Sequence, residues 1–247
     1  MKSLLKVEAR GIKKTYGNLP TLGDVSLTLA EGEFVAVVGP SGCGKSTLFN
    51  IISGLHLPDA GTVHIDGEDY TGRTGRVSYM HQKDLLLPWR TILDNVCLPL
   101  VVKGLNWRQA RAQAAPYFPD FGLAGFERHY PAQLSGGMRQ RAALLRTYLF
   151  ASDIMLLDEP FGALDALTRR KMQLWLLSTL ERYQTSVLLI THDVEEALLL
   201  SDRVYVLSAR PARVKLELKV DLPRPRSEET VMAPGFIALK RRLLAIL

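Results

Sequence analysis

Apolar and polar residues alternate along Leu5-Lys6-Val7-Glu8-Ala9 and again along Val25-Ser26-Leu27-Thr28-Leu29. That period of two predicts strands with one buried face. Glu31-Gly32 marks a turn, and the pattern then changes. Glu33-Phe34-Val35-Ala36-Val37-Val38-Gly39 is a continuous apolar run ending in glycine, the texture of a strand buried on both faces. Ile154 to Leu157 and Ser186 to Ile190 share it. Lys45 to Leu55 reads as a helix, and Leu167 to Arg182 as another lying between the last two apolar runs. Thr62 to Ile65, followed by Asp66-Gly67, reads as strand and turn, and Val77 to Met80 as a short strand. From Leu85 to about Asp153 helical spacing takes over: around Leu93, Val96, Leu98 and Val101, then Trp107 to Phe118, then Met138 to Phe150. Strand–helix–strand alternation predicts an α/β fold, a parallel sheet with right-handed crossovers. The helical stretch is expected as an insertion within it. Pro211, Pro223, Pro225 and Pro234 predict a final segment cut into short pieces, ending in a helix from about Phe236.

Composition narrows the class. The chain has 247 residues, 47% apolar and 23% charged, which is globular and not disordered. The longest run without a formal charge, Ser46 to Pro58, is too short for a spanning helix, which needs roughly 20 apolar residues. Met1 to Arg10 lacks the apolar core of a signal peptide. Cys43 and Cys97 make no disulfide framework, so a reducing, cytosolic compartment is expected. The net charge of +6 sits mostly after residue 209, where nine basic residues face four acidic ones. A nucleic-acid partner, an anionic membrane surface and a merely solvated face compete for that excess. No nucleic-acid-binding signature accompanies it, so no nucleic-acid partner is expected.

Two motifs carry chemistry. Gly39-Pro40-Ser41-Gly42-Cys43-Gly44-Lys45-Ser46 fits the phosphate-loop pattern, with an apolar strand before it and a helix, beginning Lys45-Ser46-Thr47, after it. Its glycines let successive N–H groups turn toward phosphate oxygens, and the helix adds its positive end. Lys45 is expected on the β- and γ-phosphates of ATP and Ser46 on Mg²⁺, the roles the general motif assigns. Cys43 is expected as a passive loop position. The second motif is Asp158-Glu159, two carboxylates closing the apolar run Ile154 to Leu157. Packing does not call for acids there, but the C-terminal end of a parallel strand faces the ligand crevice. Asp158 suits a Mg²⁺ contact, and Glu159 suits a general base that orients the attacking water. A third feature, Leu134-Ser135-Gly136-Gly137-Met138-Arg139-Gln140, opens a helix with a serine cap and two glycines. The glycines lower helix propensity by about 1 kcal/mol each and leave bare N–H groups, an anion site.

At this point nearly the whole chain resembles the ATP-binding cassette (ABC) transporter ATPases. The resemblance implies a P-loop NTPase core with a parallel sheet, a small antiparallel β subdomain and an inserted helical subdomain. It divides a single domain into a nucleotide core (1–84 and 154–214), a helical subdomain (85–153) and a short basic tail (215–247). It also implies that Ser135-Gly136-Gly137 is the signature that closes over ATP held by a second copy's phosphate loop. By the same resemblance Tyr16 stacks on adenine and Gln82 touches Mg²⁺ and the attacking water. Ala163-Leu164-Asp165 is then the D-loop, and His192 in Thr191-His192-Asp193 reaches the γ-phosphate. Met138 departs from the commonest signature, which has glutamine there; both glycines and the serine remain.

Leu86-Leu87-Pro88-Trp89-Arg90-Thr91-Ile92-Leu93-Asp94-Asn95-Val96 and Leu207-Ser208-Ala209-Arg210-Pro211-Ala212-Arg213-Val214 resemble segments of the nitrate/sulfonate/taurine importer group. That group includes importers of pyrimidine thiamine precursors. The resemblance implies a homodimer on the cytoplasmic face of the cell membrane. It would act on separate permease subunits and, through them, with a solute-binding protein. Export, lipoprotein-release and soluble non-transport ATPases of the same family are the alternatives. Leu85 to Trp89 is apolar and follows a loop, so it is expected either as a dock for a permease helix or as core of the helical part.

Overall fold

The computed structural model describes residues 5–150, 152–183 and 185–247. The strands are β1 (Leu5–Tyr16), β2 (Leu19–Ala30), β3 (Phe34–Val38), β4 (Ala60–Ile65), β5 (Glu68–Asp69), β6 (Ser78–Met80), β7 (Ile154–Asp158), β8 (Ser186–Ile190), β9 (Arg203–Leu207) and β10 (Ala212–Lys219). The helices are α1 (Lys45–Ile52), α2 (Ile92–Val102), α3 (Trp107–Ala114), α4 (Gly136–Leu149), α5 (Ala166–Tyr183), α6 (Val194–Leu200) and α7 (Pro234–Leu244). All strands join one sheet in the order β5-β4-β1-β2-β10-β9-β3-β8-β7-β6. Strands β9, β3, β8, β7 and β6 run parallel to their neighbours in that half. Strands β1, β2, β4 and β5 form an antiparallel wing. This is the expected α/β fold with its antiparallel β part and helical insertion.

The apolar run of β3 serves two cores. Phe34, Ala36 and Val38 face the layer that includes α2, α4 and α6, while Val35 and Val37 face α1 and the wing. A strand apolar at every position is therefore required, at roughly 1.5–3 kcal/mol for each large side chain buried. The insertion packs Phe118 and Phe121, fully buried, into the first core beside α4.

The C-terminal part differs from expectation. β9 and β10 are regular strands that the sequence reading left out, and the expected boundary at residue 214 falls inside β10. Pro211 precedes that strand, where no ladder N–H is needed, so it does not break it. β10 pairs antiparallel with β9 and touches β2 in parallel, linking the two halves of the sheet. The basic residues are largely consumed within the chain. Arg226 is buried and donates to the carbonyls of Leu198, Leu199 and Ser201 at the end of α6. There a cation meets the negative end of the helix dipole. Arg224 binds Asp202, and Lys215 donates to the Ile246 carbonyl.

Candidate functional site

The parallel strands deliver every candidate catalytic side chain to one edge of the sheet. The phosphate loop leaves β3, Gln82 follows β6, Asp158-Glu159 close β7 and His192 follows β8. β8 lies between β3 and β7, and β6 flanks β7, so the four strand ends are consecutive neighbours. Such an edge is where open α/β sheets bind ligands.

The loop's backbone conformation explains its glycines. Gly39 (φ 159°) and Gly44 (φ 120°) lie where side chains are rarely tolerated. A Cβ on Gly39 would come within 2.9 Å of the Leu207 carbonyl oxygen, and one on Gly44 within 2.9 Å of Thr21 and Leu22. Lys45 is buried, and its ammonium donates to the carbonyls of Gly39 (2.8 Å) and Pro40 (3.0 Å). Pro40, Ser41, Gly42 and Ser46 are exposed, Thr47 is half-buried, and Cys43 is buried among the wing-side core residues.

Ser46 stands beside the Asp158 carboxyl and favours its ionised form. Burial pushes that carboxyl above its ordinary range; neighbouring Glu159 adds to the rise, and Ser46 and Lys45 oppose it. Glu159 has φ 50°, a left-handed conformation that costs a non-glycine residue roughly 1–3 kcal/mol. Three hydrogen bonds hold it there. Its N–H donates to Ile190 (2.9 Å), and its carbonyl accepts from Gln140 Nε2 (2.9 Å) and from the Gly162 N–H (3.2 Å). In this conformation the carboxylate meets two of the other residues singled out from the sequence. Gln82 Nε2 donates to Glu159 Oε2 at 3.1 Å, and His192 Nδ1 stands 3.6 Å from the same oxygen. Gln82, Glu159 and His192 thus meet, next to Asp158 and Ser46.

Other expected residues stand apart. Ser135 caps α4, its hydroxyl accepting from the Met138 N–H. Ser135 and Gly136 are exposed and, among the described residues, make no hydrogen bond to the phosphate loop. Tyr16 ends β1, partly exposed, with its hydroxyl 2.8 Å from His56 Nδ1. The Leu85–Trp89 segment is split in its burial. Leu86 is buried in the core, whereas Trp89 is 70% exposed. Buried Asn95 fixes the segment, bonding the Leu87 N–H and the carbonyls of Leu87, Arg90 and Thr91.

Sequence reasoning gave no role to Gln140. Its amide nitrogen holds the Glu159 carbonyl and its amide oxygen accepts from the Ala163 N–H at 2.9 Å. One buried side chain therefore ties α4 to the turn that carries the Glu159 carboxylate. The available signal was a polar residue on the apolar face shared with Ala143 and Leu144. Glu196 was also passed over; burial chiefly, with Asp193 beside it, raises its carboxyl to about 7.

Comparison with known proteins shows the family and the fold. A family model described as ABC transporter matches residues 22–162. The chain is 45% identical over 230 residues to the formylaminopyrimidine import ATP-binding protein ThiZ of Halalkalibacterium halodurans, covering 92% of this chain and 90% of that protein. It is 42% identical over 238 residues to the aliphatic sulfonates import ATP-binding protein SsuB 2 of Burkholderia cenocepacia, covering 96% and 86%. Among solved structures it is similar to the dimeric bacterial ABC transporter cassette MJ0796, with TM-score 0.80, 34% identity, and coverage of 87% and 98%. A post-hydrolysis dimer of that cassette bound to ADP and Pi superposes with TM-score 0.79.

Proposed function

This chain belongs to the ABC transporter family, and from that premise we propose that it is the ATP-hydrolysing subunit of an importer for a small organic solute. The observation that carries the catalytic part is the convergence of Gln82 and His192 on one oxygen of Glu159, beside the Ser46–Asp158 pair. In this reading the phosphate loop and Lys45 hold the β- and γ-phosphates of ATP, and Tyr16 stacks on its adenine. Lys45 exchanges its two backbone carbonyls for phosphate oxygens, a charge-assisted contact worth about 1.5–3 kcal/mol. Glu159 accepts a hydrogen bond from the attacking water and aligns it with the γ-phosphorus. Gln82 fixes the carboxylate from one side, and His192 faces the γ-phosphate from the other.

The donor set beside the loop fits Mg²⁺. Ser46 and Asp158 offer hard oxygens, a buried carboxylate seeks a positive partner, and Mg²⁺ keeps waters and substrate phosphates as its other ligands. Ser46, Asp158 and Gln82 would hold the ion, which would neutralise charge on the phosphates when bound.

Two copies complete the site. Gly136 has neither a left-handed backbone nor a crowded Cβ direction; its nearest neighbour there is the Arg139 guanidinium at 3.8 Å. Its glycine therefore answers to no requirement of this chain's own fold, and close approach by a second copy's ATP supplies the reason. Dimeric MJ0796 supports that arrangement. Closure of the pair would move permease subunits docked at Trp89, converting binding energy into movement. Among the described residues no helix is long and apolar enough to cross a membrane, so this reading assigns the translocation path to other chains. The dimer would sit at the cytoplasmic face of the cell membrane, with a solute-binding protein delivering cargo. Relatives named for import of a formylaminopyrimidine and of aliphatic sulfonates support a small organic cargo.

The test is the Glu159→Gln variant. Removing a positioned base lowers turnover by about 10²–10⁴ while ATP binding persists. Captured from native membranes with ATP present, the variant should bring down a multi-span permease and a solute-binding protein. Wild-type turnover would refute the catalytic assignment, and recovery of ribosomes or DNA instead would refute the importer.

A further inference from the structure

The turn between β9 and β10 lies against the phosphate loop, and the catalytic reading gives it no role. Arg210 reaches from this turn and donates through Nε to the Gly42 carbonyl. A Cβ on Gly42 would meet the same guanidinium, Nη2, at 3.3 Å. One strand-end away, the Leu207 carbonyl and Cβ close over Gly39. A Cβ on Gly23 of β2 would meet Pro211 Cβ at 3.0 Å, and Ala212 and Arg213 pair with Leu22 and Asp24. On the loop's other flank Thr21 and Leu22 close over Gly44. The turn and β2 are therefore one frame, and the loop is held at its first glycine, its middle and its last glycine. The middle contact is the only one of the three made by an exposed, charged side chain.

We infer that Arg210 is a positioning residue for nucleotide binding, holding the phosphate loop in its phosphate-ready shape through the Gly42 carbonyl. Gly42 has φ 72°, is exposed and carries no side chain that would limit how its peptide turns. A cationic donor on its carbonyl fixes the Gly42–Cys43 peptide plane, and charge-assisted bonds of this kind are about twice as strong as neutral ones. The loop then spends less free energy ordering itself when phosphate arrives, which is preorganisation. The inference rests on the phosphate-loop reading above. It adds that Arg210 acts through the loop and does not touch the γ-phosphate.

The full chain tests this with ATP and ADP as probes. Arg210→Gln and Arg210→Ala should raise the Kd for both nucleotides by the same factor, about three- to tenfold. The kcat at saturating ATP should stay within about twofold, a split that loss of folding would not produce. Arg210→Lys, which retains a cationic donor, should recover most of the affinity. In the nucleotide-free chain the amides of Gly42 to Lys45 should exchange hydrogen faster in Arg210→Gln than in wild type, whatever the activity of the preparation. Unchanged affinity with unchanged exchange overturns the inference, and so does weakening of ATP alone, which would mark direct γ-phosphate contact. Lys45→Ala serves as the control. If it leaves nucleotide binding intact, the phosphate-loop reading itself is wrong; if it abolishes binding while Arg210 variants bind normally, only the role of Arg210 falls.

Discussion

The phosphate loop and the signature turn are both glycine-rich starts of helices, yet Gly136 of the turn answers to a different demand from Gly39 and Gly44 of the loop, while Gly137 is crowded by Leu164 of its own chain. In the loop, Gly39 and Gly44 have left-handed backbones and no room for a Cβ, with Leu207, Thr21 and Leu22 in the way. Lys45 is buried and satisfied by the loop's own carbonyls. At the signature, Gly136 has an ordinary backbone, open space and an exposed position. The first set of glycines is required by the fold, whereas nothing in this chain's own fold requires Gly136, and the proposed demand on it is the second copy's ATP. A residue that costs helix stability without a local reason is therefore a pointer to a partner surface.

The sharpest way to break that comparison is complementation. Lys45→Ala and Gly136→Asp should each lose ATPase activity by ~10²-fold or more, the scale of a lost electrostatic contact in a reacting site. Their thermal unfolding should separate them from ordinary damage. Aspartate in the first turn of α4 favours the helix dipole by about 0.3–1 kcal/mol, so Gly136→Asp should fold at least as well as wild type. Mixed in equal amounts, the two inactive proteins should regain about a quarter of the wild-type rate. Half the dimers then hold one intact site built from one copy's loop and the other's signature. No recovery on mixing would mean that the signature acts within its own chain.

Trp89 extends the outward side of the comparison with a smaller effect. Its neighbours Leu86 and Asn95 are buried and fix the segment, while the indole itself is exposed. Trp89→Asp should cut solute uptake in reconstituted vesicles by about tenfold, the cost of one buried aromatic anchor at an interface. The ATPase rate of the isolated chain should not change. Full uptake would remove the docking role.

What the sequence disclosed follows the same division. Asp158-Glu159 stood out because packing gives no reason for acids after Ile154 to Leu157, and the loop stood out because its spacing serves phosphate. Those residues are the ones assigned to a ligand in the proposal, and ligand chemistry limits the residue types. The C-terminal third was harder. Ala212-Arg213-Val214-Lys215-Leu216-Glu217-Leu218-Lys219 does alternate, but Pro211 and the basic excess drew it toward a broken tail. Arg226 reads as surface charge until the end of α6 is placed beside it, because a backbone carbonyl leaves no mark in sequence. Gln140 is opaque for the same reason: both its partners are main-chain groups.

The smallest effect lies wholly on the inward side. Glu196 is buried in α6, its Oε2 accepting from Gln173, its Oε1 without a hydrogen-bond partner among the described residues. Burial first, then Asp193, lifts its carboxyl to about 7, against the opposing pull of Thr191, Gln173 and Arg169. An acid raised on folding binds its proton more tightly in the folded chain than in the unfolded one. Stability contributed by the neutral form is complete below the ordinary value of about 4.5 and is lost as pH rises toward 7 and beyond. Glu196→Gln keeps the shape and the acceptor oxygen but cannot ionise. The variant should match wild type in denaturant unfolding at pH 4.5 and exceed it by about 1–3 kcal/mol at pH 8. Its ATPase rate should remain close to wild type, since the carboxyl supports α6 and does not face the phosphates in the mechanism above. A stability gap that is the same at both pH values would mean that the carboxyl stays ionised in the fold, held by Arg169, and that this buried charge belongs with the outward-facing chemistry after all.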